Sequence, residues 1–171
     1  QIFADGREGK LNTRVTASGQ VEVKKLANWL SVTQSLPASG VIPYQLQLTL
    51  NGGDSQLMVN SNLKGVAIDL PAPFGMPAET GRDTTFRMTL QGAERRYWVN
   101  YGELANFTFA APPGNFAEGR GELFLGNGNA MLPAAKGLRV RGVLSQLDVG
   151  PWQDLVNKYA GQDPGGSAKQ L

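Results

Sequence analysis

The sequence predicts a mainly β protein, and three observations carry that expectation. Glycine is abundant at 22 residues and proline at 10 in a chain of 171, and both residues punctuate strands rather than fill helices. Apolar residues recur at every second position in short runs, the pattern of a half-buried strand. Turn signals separate the runs, among them Asn51-Gly52-Gly53-Asp54 and Gly126-Asn127-Gly128-Asn129.

Taken in order, residues 1–9 are a short lead-in. Lys10 to Ala17 alternates, with Leu11, Thr13, Val15 and Ala17 on one face, and Ser18-Gly19 reads as a turn. From about Lys24 the period changes, and Leu26, Trp29 and Leu30 predict a short helix. Val41 to Leu50 is a strong strand with Tyr44, Leu46, Leu48 and Leu50 facing one way. Gln56 to Asn62 returns after the hairpin turn. Thr84 to Leu90 places Phe86, Met88 and Leu90 on one face. Arg95 to Tyr101 and Leu104 to Ala110 form a further hairpin around Gly102-Glu103, with Arg95-Arg96 as its solvated end. Glu118 to Gly126 carries Leu123 and Leu125 on one face, and Glu118 and Glu122 are expected in solvent. Leu138 to Leu144 is the last strand, with Leu138, Val140, Gly142 and Leu144 inward and Arg139 and Arg141 outward. Pro151 suits the first turn of a helix striped by Trp152, Leu155, Val156 and Tyr159. Residues 1–160 therefore read as one unit, and 161–171 as a flexible tail by composition.

One stretch departs from this rhythm. Residues 61–78 begin as a strand, with Val66, Ile68 and Leu70 on one face, and then break at Pro71, Pro73 and Pro77. Proline lacks the amide that a ladder needs. Phe74 and Met76 put large apolar groups inside the break. They either staple a core shut or form a lip over an apolar groove. Asp69, beside the break, is expected to accept hydrogen bonds from loop amides. A second feature is an internal echo. Gly19 precedes Trp29 by ten residues, and Gly142 precedes Trp152 by ten, each as strand, turn and short helix.

Composition excludes several function classes. The 16 basic and 14 acidic residues leave a net charge of +2, too balanced for nucleic-acid binding. There is no cysteine and no histidine, which removes disulfides, thiolate chemistry, the commonest general base and the commonest metal ligand. No run approaches the roughly 20 apolar residues of a membrane-spanning helix. A chain that opens on Gln1 without Met is expected to be a processed fragment, with any membrane anchor lying outside it. No G-x-S-x-G, phosphate loop or dense acidic loop is present, so neither an enzyme nor a metal or cofactor site is expected. Trp29 and Trp152 are expected to anchor a core. Trp98 and Tyr101 keep open a structural or glycan-binding β-sandwich. The alternation alone fits a closed sandwich or barrel, or a single curved sheet whose apolar face lines a groove.

The stretch SNLKGVAIDLPAPFGMPAE resembles a recurrent segment of the AsmA-like superfamily, in its YhdP branch, relatives of TamB. The matching residues are Asn62, Leu63, Gly65, Asp69, Leu70, Pro71, Pro73 and Phe74. VIPYQLQLTL resembles the strand before it, and RGELFLG, Leu132-Pro133 and GLRVRGVLSQLDVGPW resemble the segment after it. Met76 stands where the family often carries Lys. The resemblance implies a curved, largely antiparallel sheet forming an open half-pipe, with two short Trp-bearing helices. It further implies a periplasmic segment of a Gram-negative protein anchored in the inner membrane and conducting phospholipid toward the outer membrane. The partners implied are phospholipid or another acyl-chain ligand and neighbouring segments of the same parent chain. The expected lining is Leu46, Leu48, Leu50, Val66, Ile68, Leu70, Phe74, Phe86, Met88, Leu90, Leu123, Leu125, Val140 and Leu144.

Overall fold

The computed structural model describes residues 2–7, 10–29, 36–143 and 148–160. Nine strands form one open sheet, in the order β1 (Ile2–Arg7), β2 (Lys10–Glu22), β3 (Ala38–Leu50), β4 (Gln56–Ser61), β6 (Thr84–Thr89), β7 (Arg95–Tyr101), β8 (Ala105–Ala111), β9 (Arg120–Leu125) and β10 (Gly137–Gly142). The short β5 (Val66–Ile68) lies off this path and pairs with the first residues of β3. Two helices complete the described fold, α1 (Val23–Trp29) and α2 (Val149–Ala160).

Sequential hairpins account for the order. Every neighbouring pair from β1 to β9 is antiparallel, and β9–β10 is parallel. A parallel pair cannot be closed by a tight turn and needs a crossover. Residues 126–136 supply it by passing over one face of the sheet, where Met131 N donates to Glu122 Oε2 at 2.5 Å and Arg120 Nη1 donates to the Pro133 carbonyl at 2.9 Å.

Ser18-Gly19 is not a turn. β2 runs unbroken through it, with Gly19 opposite Tyr44. A Cβ on Gly19 would come within 2.8 Å of the Tyr44 hydroxyl oxygen, so this glycine makes room for an aromatic ring. The lead-in is likewise a strand, β1, paired along its length with β2.

The distribution of buried residues excludes a two-layered core. Among the described residues, the buried apolar ones are Val23 and Ala27 of α1, Val66, Phe74 and Met76 around the proline break, and three alanines, Ala105, Ala110 and Ala111. The largest fully buried side chain among the described residues is the carboxylate Glu122. A sandwich would bury its large aliphatic and aromatic residues instead. The sheet is therefore single, as the open-groove architecture requires.

Candidate functional site: an uncovered apolar sheet face

Residues directly opposite one another in a ladder share a face, so the register sorts the whole sheet. One rung runs Val15, Leu48, Leu57, Met88, Tyr97, Phe109, Gly121 and Leu138 from β2 to β10. The next runs Ala17, Leu46, Val59, Phe86, Val99, Phe107, Leu123 and Val140. The opposite face carries Gln45, Gln47, Asn60, Thr85, Arg87, Asn100, Asn106 and Arg139. Most apolar residues of each strand share one parity, with Val41, Met58, Trp98 and Phe124 on the other, and the antiparallel pairings preserve that parity from strand to strand.

No described element is packed over the middle of the apolar face. Leu46, Leu48, Phe86, Met88, Leu123 and Leu125 are all half-buried, and Val140 is 58% exposed. Nine strands span about 38 Å between the edges, and a seven-residue strand spans about 23 Å across. Aromatic rings contact one another along β6 to β8. Phe86–Tyr97, Tyr97–Phe109 and Phe107–Phe109 centroids lie 6.0–6.4 Å apart, and Phe116 from the loop after β8 lies over both Tyr97 and Phe109.

The two ends of the strands differ. At one end the proline break folds back as a lip. Ile68 and Met76 exchange backbone hydrogen bonds of 2.9 and 3.0 Å, which turns the chain on itself. The Phe74 carbonyl then accepts from the Tyr101 hydroxyl at 2.5 Å and from Arg82 Nη1 at 3.1 Å. Tyr101 belongs to the apolar face, so these bonds seat the lip on that face. Phe74 itself is buried and meets Trp152 of α2 edge-to-face at 5.6 Å. At the other end the short turns around Gly52–Asp54 and Phe116–Glu118 leave Leu50 at 40% and Phe116 at 63% exposed.

The polar face holds one buried ionic cluster beneath the crossover. Glu122 is fully buried and accepts from Arg139 Nε at 2.7 Å, Arg141 Nε at 2.8 Å and the Met131 amide. The Arg141 hydrogen bond, the Met131 amide and Arg139 together lower the Glu122 pKa to about 2. The expectation of Glu122 in solvent was therefore incorrect. Its carboxylate ties the edge strand β10 to β9, and all six residues of β10 are otherwise exposed. Glu94 is similarly held below the usual carboxylate range by its bond to Arg120.

Of the expected lining, Leu46, Leu48, Leu50, Phe86, Met88, Leu90, Leu123, Leu125 and Val140 share the apolar side of the main sheet. Val66 and Phe74 are buried inside the lip, and Ile68 and Leu70 are half-buried beside them. Leu144 lies outside the described residues, as does the tail 161–171. Val15, Leu57, Val59, Tyr97, Val99, Phe107 and Phe109 belong to the same face, beyond the expected lining. Their alternation in RRYWVNY and ANFTF was the available signal. Trp29 is 80% exposed and anchors no core, whereas Trp152 packs on the lip. Asp69 accepts from no loop amide among the described residues; its carboxylate is exposed and lies 3.8 Å from Lys158 Nζ. Trp98 lies on the polar face under Arg87, with 4.4 Å from guanidinium to ring, while Tyr101 lies on the apolar face. The two cannot form one sugar platform.

Among the described residues there is no group of His, Cys, Asp and Glu that could hold a metal ion, and no helix long and apolar enough to cross a membrane. No curated protein and no solved structure matches the chain. A family model, that of the YhdP protein, matches residues 3–170. With an open one-faced sheet beneath that match, the chain belongs to the YhdP family, the branch of the AsmA-like superfamily that its proline-broken strand resembles.

Proposed function

We propose that this chain is one segment of a conduit for phospholipid acyl chains between the inner and outer membranes of a Gram-negative envelope. Neighbouring segments of a longer parent chain extend it, and the parent is anchored in the inner membrane outside this segment. The observation that carries the reading is the pair of eight-residue apolar rungs with no layer over their centre. A diacyl lipid has about 30 methylenes, so at ~0.8 kcal/mol each its escape from a bilayer costs on the order of 20 kcal/mol without an apolar path. A trough whose width is comparable to an acyl chain offsets most of that cost. It needs no catalytic group, and the role is binding and transfer rather than chemistry.

A photo-crosslinking residue placed in the parent protein in living cells tests this. Leu57 and Met58 are consecutive, both half-buried, and on opposite faces. Phospholipid adducts are expected from position 57 and not from 58. Equal labelling, or none at 57, overturns the conduit.

A further inference from the structure

From Thr13 onward, the apolar face of the main sheet carries a single charged residue. It is Arg95, the first residue of β7, directly opposite Ala111 and one step along the face from Tyr97. It stands at the strand ends away from the lip. Its Nη1 donates to the Gly92 carbonyl at 2.9 Å, and no carboxylate among the described residues pairs with it.

The other arginines of β6 to β10 and the preceding loop are almost all engaged. Arg120 binds Glu94, Arg139 and Arg141 bind Glu122, Arg87 stacks on Trp98, and Arg82 binds the lip. Arg96 sits on the polar face, where its charge helps to hold Glu94 ionised. A cation without a counter-ion, alone at the margin of an apolar surface, is complementary to an amphiphile with an acidic head.

The two ends of the strands also differ in charge. The lip end gathers Glu22, Asp69, Glu79, Asp83, Glu103, Asp148 and Asp154 against Lys24, Lys25, Lys64, Arg82 and Lys158. The far end gathers Arg95, Arg96, Arg120 and Lys136 against Asp54, Glu94 and Glu118.

We propose that Arg95 is a headgroup ligand, binding the phosphate of a membrane phospholipid whose acyl chains lie on the apolar face. This rests on the conduit reading and adds to it the orientation of the lipid, with its head at the Arg95 end of the strands.

The test titrates the full chain with short-chain phosphatidylglycerol and with the corresponding uncharged diacylglycerol. The wild type is expected to bind the phosphatidylglycerol about tenfold more tightly at low salt, with the preference shrinking as salt screens it. Arg95→Gln keeps a donor for the Gly92 carbonyl and removes the charge; it is expected to abolish the preference and leave diacylglycerol affinity unchanged. Arg95→Lys is expected to retain most of it. If the wild type binds both lipids equally, or Arg95→Gln weakens both alike, the headgroup assignment is wrong while the trough stands. If glycerol phosphate alone competes at the lipid's own affinity, the site is a free-phosphate site and the assignment is wrong. If neither lipid binds, the conduit reading fails with it.

Discussion

Truncating a residue of the trough should cost much less than truncating one of the lip, and that difference measures whether the apolar face is open. Leu48 sits mid-face with Val15 and Leu57 as its two cross-strand partners. A cross-strand pair is worth about 0.2–1 kcal/mol relative to alanine, so Leu48→Ala should cost about 1 kcal/mol. Phe74 is 4% exposed and also holds the edge-to-face contact with Trp152. Phe→Ala in such surroundings costs about 3–5 kcal/mol, of which the ring pair supplies about 1. For a chain of this size 1 kcal/mol shifts the melting temperature by about 2–4 °C. Thermal melts followed by far-UV circular dichroism should therefore place Leu48→Ala about 3 °C below wild type and Phe74→Ala about 10 °C below. Tryptophan fluorescence should shift to the red only for Phe74→Ala, as Trp152 loses its ring partner. Were Leu48→Ala as costly as Phe74→Ala, the face would be a sealed interior and the openness argued here would be wrong.

Three other outcomes follow from single contacts. Glu122 has a folded pKa of about 2 against an ordinary value of 4.5; its stabilisation is complete above pH 4.5 and is lost as pH falls from there through about 2. Glu122→Gln should be clearly less stable than wild type at pH 7, and urea midpoints of the two should converge as pH falls through that window. A Cβ on Gly121 would stand 2.7 Å from both the Phe109 ring and the Thr108 carbonyl, so Gly121→Val should cost about 1–3 kcal/mol by urea unfolding; a neutral result would mean that Phe109 does not lie across this strand. Trp152 Nε1 is buried with no hydrogen-bond partner among the described residues. Leaving a buried donor unmade costs about 1–3 kcal/mol, so Trp152→Phe should be neutral or stabilising in the same melts, where loss of more than about 1 kcal/mol would show that the indole has a partner.

The strands and their two faces are legible in the chain before any tertiary contact is known. Alternation is a local property, because successive side chains point to opposite sides whatever the strand pairs with. Val140 and Arg139 could thus be assigned to opposite faces from LRVRG alone. The break at Pro71 and Pro73 was equally legible, since a missing amide needs no tertiary context. Tertiary structure alone decided what, if anything, covers the apolar face. A sandwich and an open sheet share the same alternation and differ only in what lies about 10 Å away. It also decided the fate of individual residues whose partners are distant in sequence. Glu122 is buried because Arg139, Arg141 and the Met131 amide converge on it from the crossover and the parallel strand beyond, and Gly19 continues a strand because the Tyr44 ring covers it. Such contacts arise only when the register places one strand beside another, and no local pattern in either strand records its neighbour.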